Sequence, residues 1–344
     1  MSARSIQTAK AALFQQLATA VRQGIPVADV VQVLVADDEW TRRARAALQR
    51  IAHRVAAGEA LSTAMAGEPA LFAAATAELV RAAEAAPPAE RADLLAALAL
   101  DARRQAAASR DVAITMTWPL TLGAVLLVEL AVCSGYVRPE IANAFEAMRA
   151  TPSLPFMATA VLDTWWAWLL PLYVLLWLWA LGWLPRAVLA ILADLGDQIV
   201  FVGRWHAAAA NARLLDWLPL CESQPALRRP VMAHLLATSA SGQGRAVLRR
   251  LEAALAGGAT LAEALASQRA LPPRMALLVG LGERSATLPA VLLDLRRDAE
   301  ENEALAFARF ERGCVVMFYV LIGYFVATLL AGIYLPIFKI GTLL

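Results

Sequence analysis

Lysine is nearly absent from this 344-residue chain: it occurs only as Lys10 and Lys339. Neither follows a glycine, so the Gly-Lys-Ser/Thr grip of a P-loop cannot be built and no ATP site of that kind is expected. Cysteine is scarce as well. Cys133, Cys221 and Cys314 lie far apart with no CxxC pair, which leaves neither a disulfide framework nor a zinc site to expect. His53, His206 and His234 have no Cys or His at ligand spacing and read as exposed or ordinary helical residues. Ser239 and Ser241 lack a GxSxG context. Gly242, Gln243 and Gly244 form a GxG with no strand before it and read as a loop. A formal net charge of +2 gives no basic field for nucleic acid. No segment alternates apolar and polar residues as a half-buried strand would. The chain is therefore expected to be all-α, without catalytic centre, metal or cofactor, and not an enzyme.

What is abundant is apolar surface. Hydrophobic residues make up 60% of the chain, against roughly 45–50% in soluble domains. They concentrate in three blocks, 112–134, 164–184 and 313–338. Crossing a bilayer as a helix takes about 20 apolar residues, and each block suffices. The first carries one charge, Glu129. The second holds Trp165, Trp166, Trp168, Trp177, Trp179 and Trp183, near both ends, as interfacial belts do. The third is uncharged. Residues 6–23 carry Gln7, Lys10, Gln15, Gln16 and Arg22, so no cleavable apolar leader is expected there.

Arginine and lysine set the expected orientation. Residues 1–111 hold 13 and residues 185–312 hold 15, whereas 135–163 hold two and the tail 339–344 holds one. The positive-inside bias then places 1–111 and 185–312 in the cytoplasm, and puts the 135–163 loop and the tail outside. Arg103, Arg104 and Arg110, with Arg296, Arg297, Arg309 and Arg312, precede spans one and three and read as anchors of that bias. Glu129 is costly within a span. It either faces a helix or partner contact, or marks the outer end of the span.

An internal repeat organises the rest. At a shift of 200 residues, Arg45, Leu48, Arg50, Gly58, Leu61 and Leu71 coincide with Arg245, Leu248, Arg250, Gly258, Leu261 and Leu271. Ile51, Val55 and Met65 pair conservatively with Leu251, Leu255 and Leu265. After a one-residue slip Glu84 matches Glu283. Each copy is a helical domain followed by a span, and the Trp-rich second span returns the chain so that both copies share one compartment. Residues 6–23 space Ile6, Ala9, Leu13, Leu17 and Val21 as one helical face. Gly24 suits the end of that helix and Pro26 the start of the next. Residues 42–57 form another amphipathic helix that Gly58 stops, and a short helix starts at Leu61.

These features together resemble the type II secretion system protein F family, which includes type IV pilus inner-membrane platform proteins. The resemblance rests on Gly24, Ile25, Pro26; on Gly58 followed by Leu61, Ser62 and Ala64; and on Gly258 followed by Leu261 and Ala264. Gly282, Glu283, Arg284 and Ser285 are similar to the family's Gly-Glu-x-Ser signature, with Ala286 where the family has a second glycine. The matching region around Glu84 is largely eroded, and Gln224, Pro225 and Ala226 replace Gly-x-Pro in the second copy. Leu335, Pro336, Ile337 and Phe338 close the chain as in the family.

The resemblance implies an all-α integral membrane protein with two homologous cytoplasmic helical bundles and three transmembrane helices. It would sit in the bacterial inner membrane, N-terminus cytoplasmic and C-terminus periplasmic. It would act as a scaffold coupling a hexameric pilus or secretion ATPase to insertion of pilin or pseudopilin, in contact with other inner-membrane assembly components and with further copies of itself. The positions expected to matter are Glu129, Glu283 and Arg284 for partner contact, and Gly24, Pro26, Gly58 and Gly258 for structure. A small transporter or channel is the alternative. It would want ionisable residues lining several spans.

Overall fold

The computed structural model describes residues 3–35, 40, 42–147, 170–171, 173–175, 177–178, 194, 196–239, 241–268, 272–285 and 287–341. Among them every regular element is helical. The first repeat is α1 (Ala3–Gln23), α2 (Val27–Val35), α3 (Arg42–Ala56), α4 (Leu61–Ala66), α5 (Ala74–Ala85) and α6 (Pro88–Val132). A π turn (Cys133–Val137) and α7 (Arg138–Ala147) follow. The second repeat is α8 (Val200–Ser223), a 3-10 turn (Pro225–Leu227), α9 (Arg228–Thr238), α10 (Gly242–Ala256), α11 (Leu261–Ala266), α12 (Pro273–Ser285) and α13 (Leu288–Gly341). The helices α3 and α10, and α4 and α11, begin and end at the same offset that the sequence repeat shows.

The reason lies in the caps and the core. Gly24, Gly58 and Gly258 take φ of 70°, 88° and 85°. The chain behind each folds back identically: Glu59 N–H reaches the Arg54 carbonyl at 3.0 Å, Ala259 the Ala254 carbonyl at 3.1 Å, and Ile25 the Ala20 carbonyl at 2.9 Å. This closes the orphan carbonyls of a helix end and needs a left-handed residue, which costs about 1–2 kcal/mol for anything but glycine. Pro26 stands directly before α2, and its carbonyl accepts from the Asp29 and Val30 amides. Leu48, Ile51, Leu61, Ala64 and Met65 are buried, and so are their counterparts Leu248, Leu251, Leu261, Ala264 and Leu265. The coincidences at shift 200 thus mark one buried face used twice. Gly242, Gln243 and Gly244, expected as a loop, instead form the first turn of α10. Ser241 Oγ accepts the Gly244 amide at 3.0 Å as the N-cap.

The chain divides into two compact units. One combines Met1–Arg110 with Leu184–Phe310; the other combines Asp111–Trp183 with Glu311–Leu344. In the first, both repeats share one apolar core, built on Phe14, Leu17, Leu34, Phe72, Leu79 and Leu98 from one copy and Leu214, Leu215, Trp217, Leu235, Leu251 and Val279 from the other.

Among the described residues one helix is long and apolar enough to cross a membrane, Pro88–Glu140, 53 residues. Only 6% of its apolar window is buried, which a core helix of a soluble protein would not show. The expected first span lies in it. Of the expected second span, 164–184, only 170–171, 173–175 and 177–178 are described. There Tyr173 donates to the Leu120 carbonyl and receives the Trp177 indole N–H at 2.6 Å. The expected third span, 313–338, is helical throughout as part of α13. Of the three expected spans, one is thus found on length and apolarity among the described residues. Helix also replaces the first part of the expected 135–163 loop, through α7; 148–163 lie outside the described residues.

Candidate functional site

Helical spacing puts several polar residues on single faces. Asp101, Arg104 and Gln105 stand at i, i+3 and i+4 on α6. Arg213 and Asp216 stand at i and i+3 on α8, and His234 and Thr238 at i and i+4 on α9. Arg296, Glu300 and Glu303 lie along α13. Inside the first unit these faces converge between the repeats.

Asp101 is the centre, with its side chain only 3% exposed. Arg213 grips it through both carboxylate oxygens, Nε to Oδ1 at 2.7 Å and an Nη to Oδ2 at 3.0 Å. Gln105 donates to Oδ2 at 2.7 Å. His234 Nε2 lies 3.1 Å from the same oxygen, and its Nδ1 lies 3.1 Å from Thr76 Oγ1 on α5. The Trp217 ring stands edge-on to the imidazole at 5.6 Å, and Arg213 also donates to Thr238 Oγ1 at 2.7 Å. Burial alone would raise the Asp101 carboxyl. The Arg213 charge and the bonds from His234 and Arg213 outweigh it and hold the group below the usual carboxylate range.

A second ionic group lies beside it. Asp216, 5% exposed, has Arg104 Nε at 2.7 Å and Arg296 Nε at 2.8 Å. Neither carboxylate oxygen receives a hydrogen bond of acceptable geometry. Charge proximity without directed bonds compensates burial only in part, and the Asp216 carboxyl is pushed up to about 6. Arg104 continues to Glu300 and, at 3.3 Å, to Glu303. A cavity of about 560 Å³ opens next to Asp101, with Phe14, Phe72, Thr76, Trp205 and Arg213 among its walls. Among the described residues no group of three or more His, Cys, Asp or Glu is placed to hold a metal ion.

None of this cluster stood among the expected site residues. His234, expected to be ordinary, is buried at its heart, and His206 is bonded to Asp197 at 2.7 Å; His53 is exposed, as expected. Arg104 and Arg296, expected as membrane anchors, are engaged in the ionic network. The cluster also departs from the repeat. At shift 200, Arg213 corresponds to Leu13, so the second copy brings charge where the first has core.

The expected site residues are scattered. Gly24, Pro26, Gly58 and Gly258 are the helix junctions described above. Glu129 is exposed on α6, and the helix continues past it. Glu283 and Arg284, expected in a turn, lie in the last turn of α12, exposed and with no ion pair or hydrogen bond from their side chains among the described residues.

The structure explains why Glu283 is free. In the first repeat the N-cap of α4 is Ala60, which has no side-chain bond to give. Glu84 reaches across from α5 instead and accepts from the Ser62 amide at 3.2 Å and the Ser62 hydroxyl. In the second repeat Ser62 becomes Ala262, and Thr260 with Glu263 forms a capping box on α11. Glu84→Ala is therefore expected to cost about 1 kcal/mol of stability. Glu283→Ala should stay within about 0.5 kcal/mol of wild type. Denaturant unfolding of the detergent-solubilised chain measures both, and equal losses would contradict the assignment.

A duplicated all-helical chain bearing an apolar helix of membrane-crossing length is the class these observations define. Residues 13–139 and 231–336, one block in each repeat and together more than half of the chain, match the family described as type II secretion system (T2SS), protein F. The chain belongs to that family. It is also 31% identical over 97 residues to the type 4 fimbrial assembly protein PilC of Pseudomonas putida. That stretch covers 28% of this chain and 24% of the relative, so the likeness spans about a quarter of the relative's length.

Proposed function

We propose that this chain is the inner-membrane platform of a type IV pilus or type II secretion assembly. In this reading the first unit lies in the cytoplasm and meets the assembly ATPase, and the apolar helices meet pilin or pseudopilin in the bilayer. The protein does no chemistry of its own. It passes movement from the ATPase to the subunit being inserted. The observation that carries the reading is the buried ionic junction, taken together with family membership. A bidentate Arg213–Asp101 pair, fixed further by His234 and Gln105, joins the two repeats into one body. A part that transmits force needs internal contacts of fixed geometry, and buried charged bonds impose geometry more than they add stability.

The test is genetic and biochemical together. Removing the chain should abolish surface filaments, or secretion of the system's cargo. The tagged chain, solubilised from its own membrane, should bring the assembly ATPase with it. Filaments and secretion at normal level without the chain would overturn the proposal.

A further inference from the structure

Helices α8 and α13 run antiparallel in one register. Asp216 meets Arg296 at 2.8 Å. The Trp205 ring lies 5.7 Å from that of Phe307 and 5.1 Å from that of Phe310, and the Phe201 ring lies 6.2 Å from Phe310. From Phe201 to Asp216 is 15 residues forward on α8, and from Phe310 to Arg296 is 14 residues back on α13. Both helices rise equally per residue, so the first turn of α8 stands beside Phe310. Three residues beyond Phe310, α13 begins its uncharged apolar block, 313–338.

That first turn is pinned from behind and apolar in front. Asp197 lies 2.7 Å from His206 Nδ1, and its other carboxylate oxygen accepts the Gln243 amide of α10 at 3.1 Å. Gly203 lets the chain close on itself here, since a Cβ would stand 2.8 Å from the Asp197 carbonyl oxygen. Held in this way, Ile199 and Val200 are still 41% and 69% exposed. Arg204 follows Val200 by one turn on the same face of α8, and Arg309 adjoins Phe310 on α13. Both arginines are exposed, and neither side chain has a hydrogen bond or ion pair among the described residues. Farther from the apolar block, Arg104 and Arg296 are paired with Asp216. Glu311, two residues beyond Arg309, falls on the other side of its helix.

We infer that the first turn of α8 is a lipid-contacting foot: Ile199 and Val200 enter the headgroup region of the bilayer, and Arg204 and Arg309 hold the phosphates of anionic phospholipid. Aliphatic side chains backed by arginine are the pattern of a segment that lies on a membrane without crossing it. Anionic headgroups draw basic side chains that come within a Debye length of the surface. The foot gives the first unit an attachment to lipid besides the apolar helices. The inference rests on α13 entering the bilayer, as the platform reading has it.

The full chain in phospholipid vesicles tests it, with an environment-sensitive fluorophore on Val200→Cys, Leu277→Cys or Val320→Cys. The unsubstituted chain, with Cys133, Cys221 and Cys314, gives the background. Leu277 is the control: it is exposed on α12, which Arg274 ties to Asp298, about four turns of α13 short of the apolar block. Phosphatidylglycerol spin-labelled near its headgroup should quench the probe at Val200 and not the probe at Leu277. Phosphatidylcholine labelled at the same place should quench it less. With Arg204→Gln and Arg309→Gln together, the ratio of the two should fall to about one, because the charges that prefer the anionic lipid are gone. Equal quenching by the two lipids in the chain with both arginines would overturn the inference. So would a probe at Val200 quenched no more than that at Leu277; if chain-labelled lipid quenches the probe at Val320, this inference alone falls. A probe at Val320 that no lipid quenches would overturn the platform reading with it.

Discussion

Asp101→Ala is expected to destabilise the first unit by about 3–5 kcal/mol, the cost of breaking a buried ion pair by removing one partner. The loss is large because the guanidinium of Arg213 and the imidazole of His234 stay behind, buried and short of an acceptor. Asp101→Asn should cost less, since its amide oxygen still accepts one of the bonds. Asp101→Ala combined with Arg213→Ala should cost less than the sum of the two single changes, because they belong to one network. Thermal unfolding of the detergent-solubilised chain reads all four. At about 2–4 °C per kcal/mol for a unit of this size, the Asp101→Ala midpoint should fall by about 10 °C. A fall of only a degree or two, or strict additivity in the double variant, would mean that the pair does not hold the repeats together.

The second large effect is on pH dependence. Asp101 and Asp216 lie in one junction but are shifted in opposite directions. The Asp101 carboxyl is held low in the folded protein, so its contribution is complete above the unfolded value and disappears as pH falls through the depressed folded one. The Asp216 carboxyl is raised from 3.8 to about 6 by burial. Its contribution is therefore complete below the unfolded value and lost as pH rises through about 6. Wild type should weaken on this account between pH 4.5 and 7.5, and Asp216→Asn, which cannot ionise, should not. The stability difference, variant minus wild type, is expected to move in the variant's favour by about 2 kcal/mol across that window. Glu303, also raised by burial, is present in both chains and cancels. A difference independent of pH, or one that moves against the variant, would contradict the assignment.

The repeat was legible because its landmarks are local. Gly58 and Gly258 answer to the backbone of a single turn, and Leu48, Ile51, Leu61 and Met65 answer to the face of a single helix. Such constraints survive duplication and appear at a fixed shift. The junction was not legible, for the opposite reason. Asp101 and Arg213 are separated by 112 residues, and Asp101 and His234 by 133. No spacing rule connects residues so far apart on different helices. A search for what two copies share also passes over what joins them, because the joint uses different residues on its two sides. The one trace available was negative: Arg213 falls where its counterpart, Leu13, continues an apolar face. Glu84 and Glu283 match in sequence yet do different work, since the capping box of Thr260 and Glu263 is local to the second copy. The positive-inside count was sound as a count. It could not show that Arg104 and Arg296 face carboxylates within the protein.

Transmission of movement through two repeats acting as one body is the claim on which the rest depends. Its most direct test is filament assembly in cells whose only copy of the chain carries Asp101→Ala, grown at a temperature where the variant reaches the wild-type level in the membrane. The account predicts that filaments, or secreted cargo, are lost although the protein is present and in place. Filaments at wild-type number from a chain whose unfolding midpoint has fallen would contradict it.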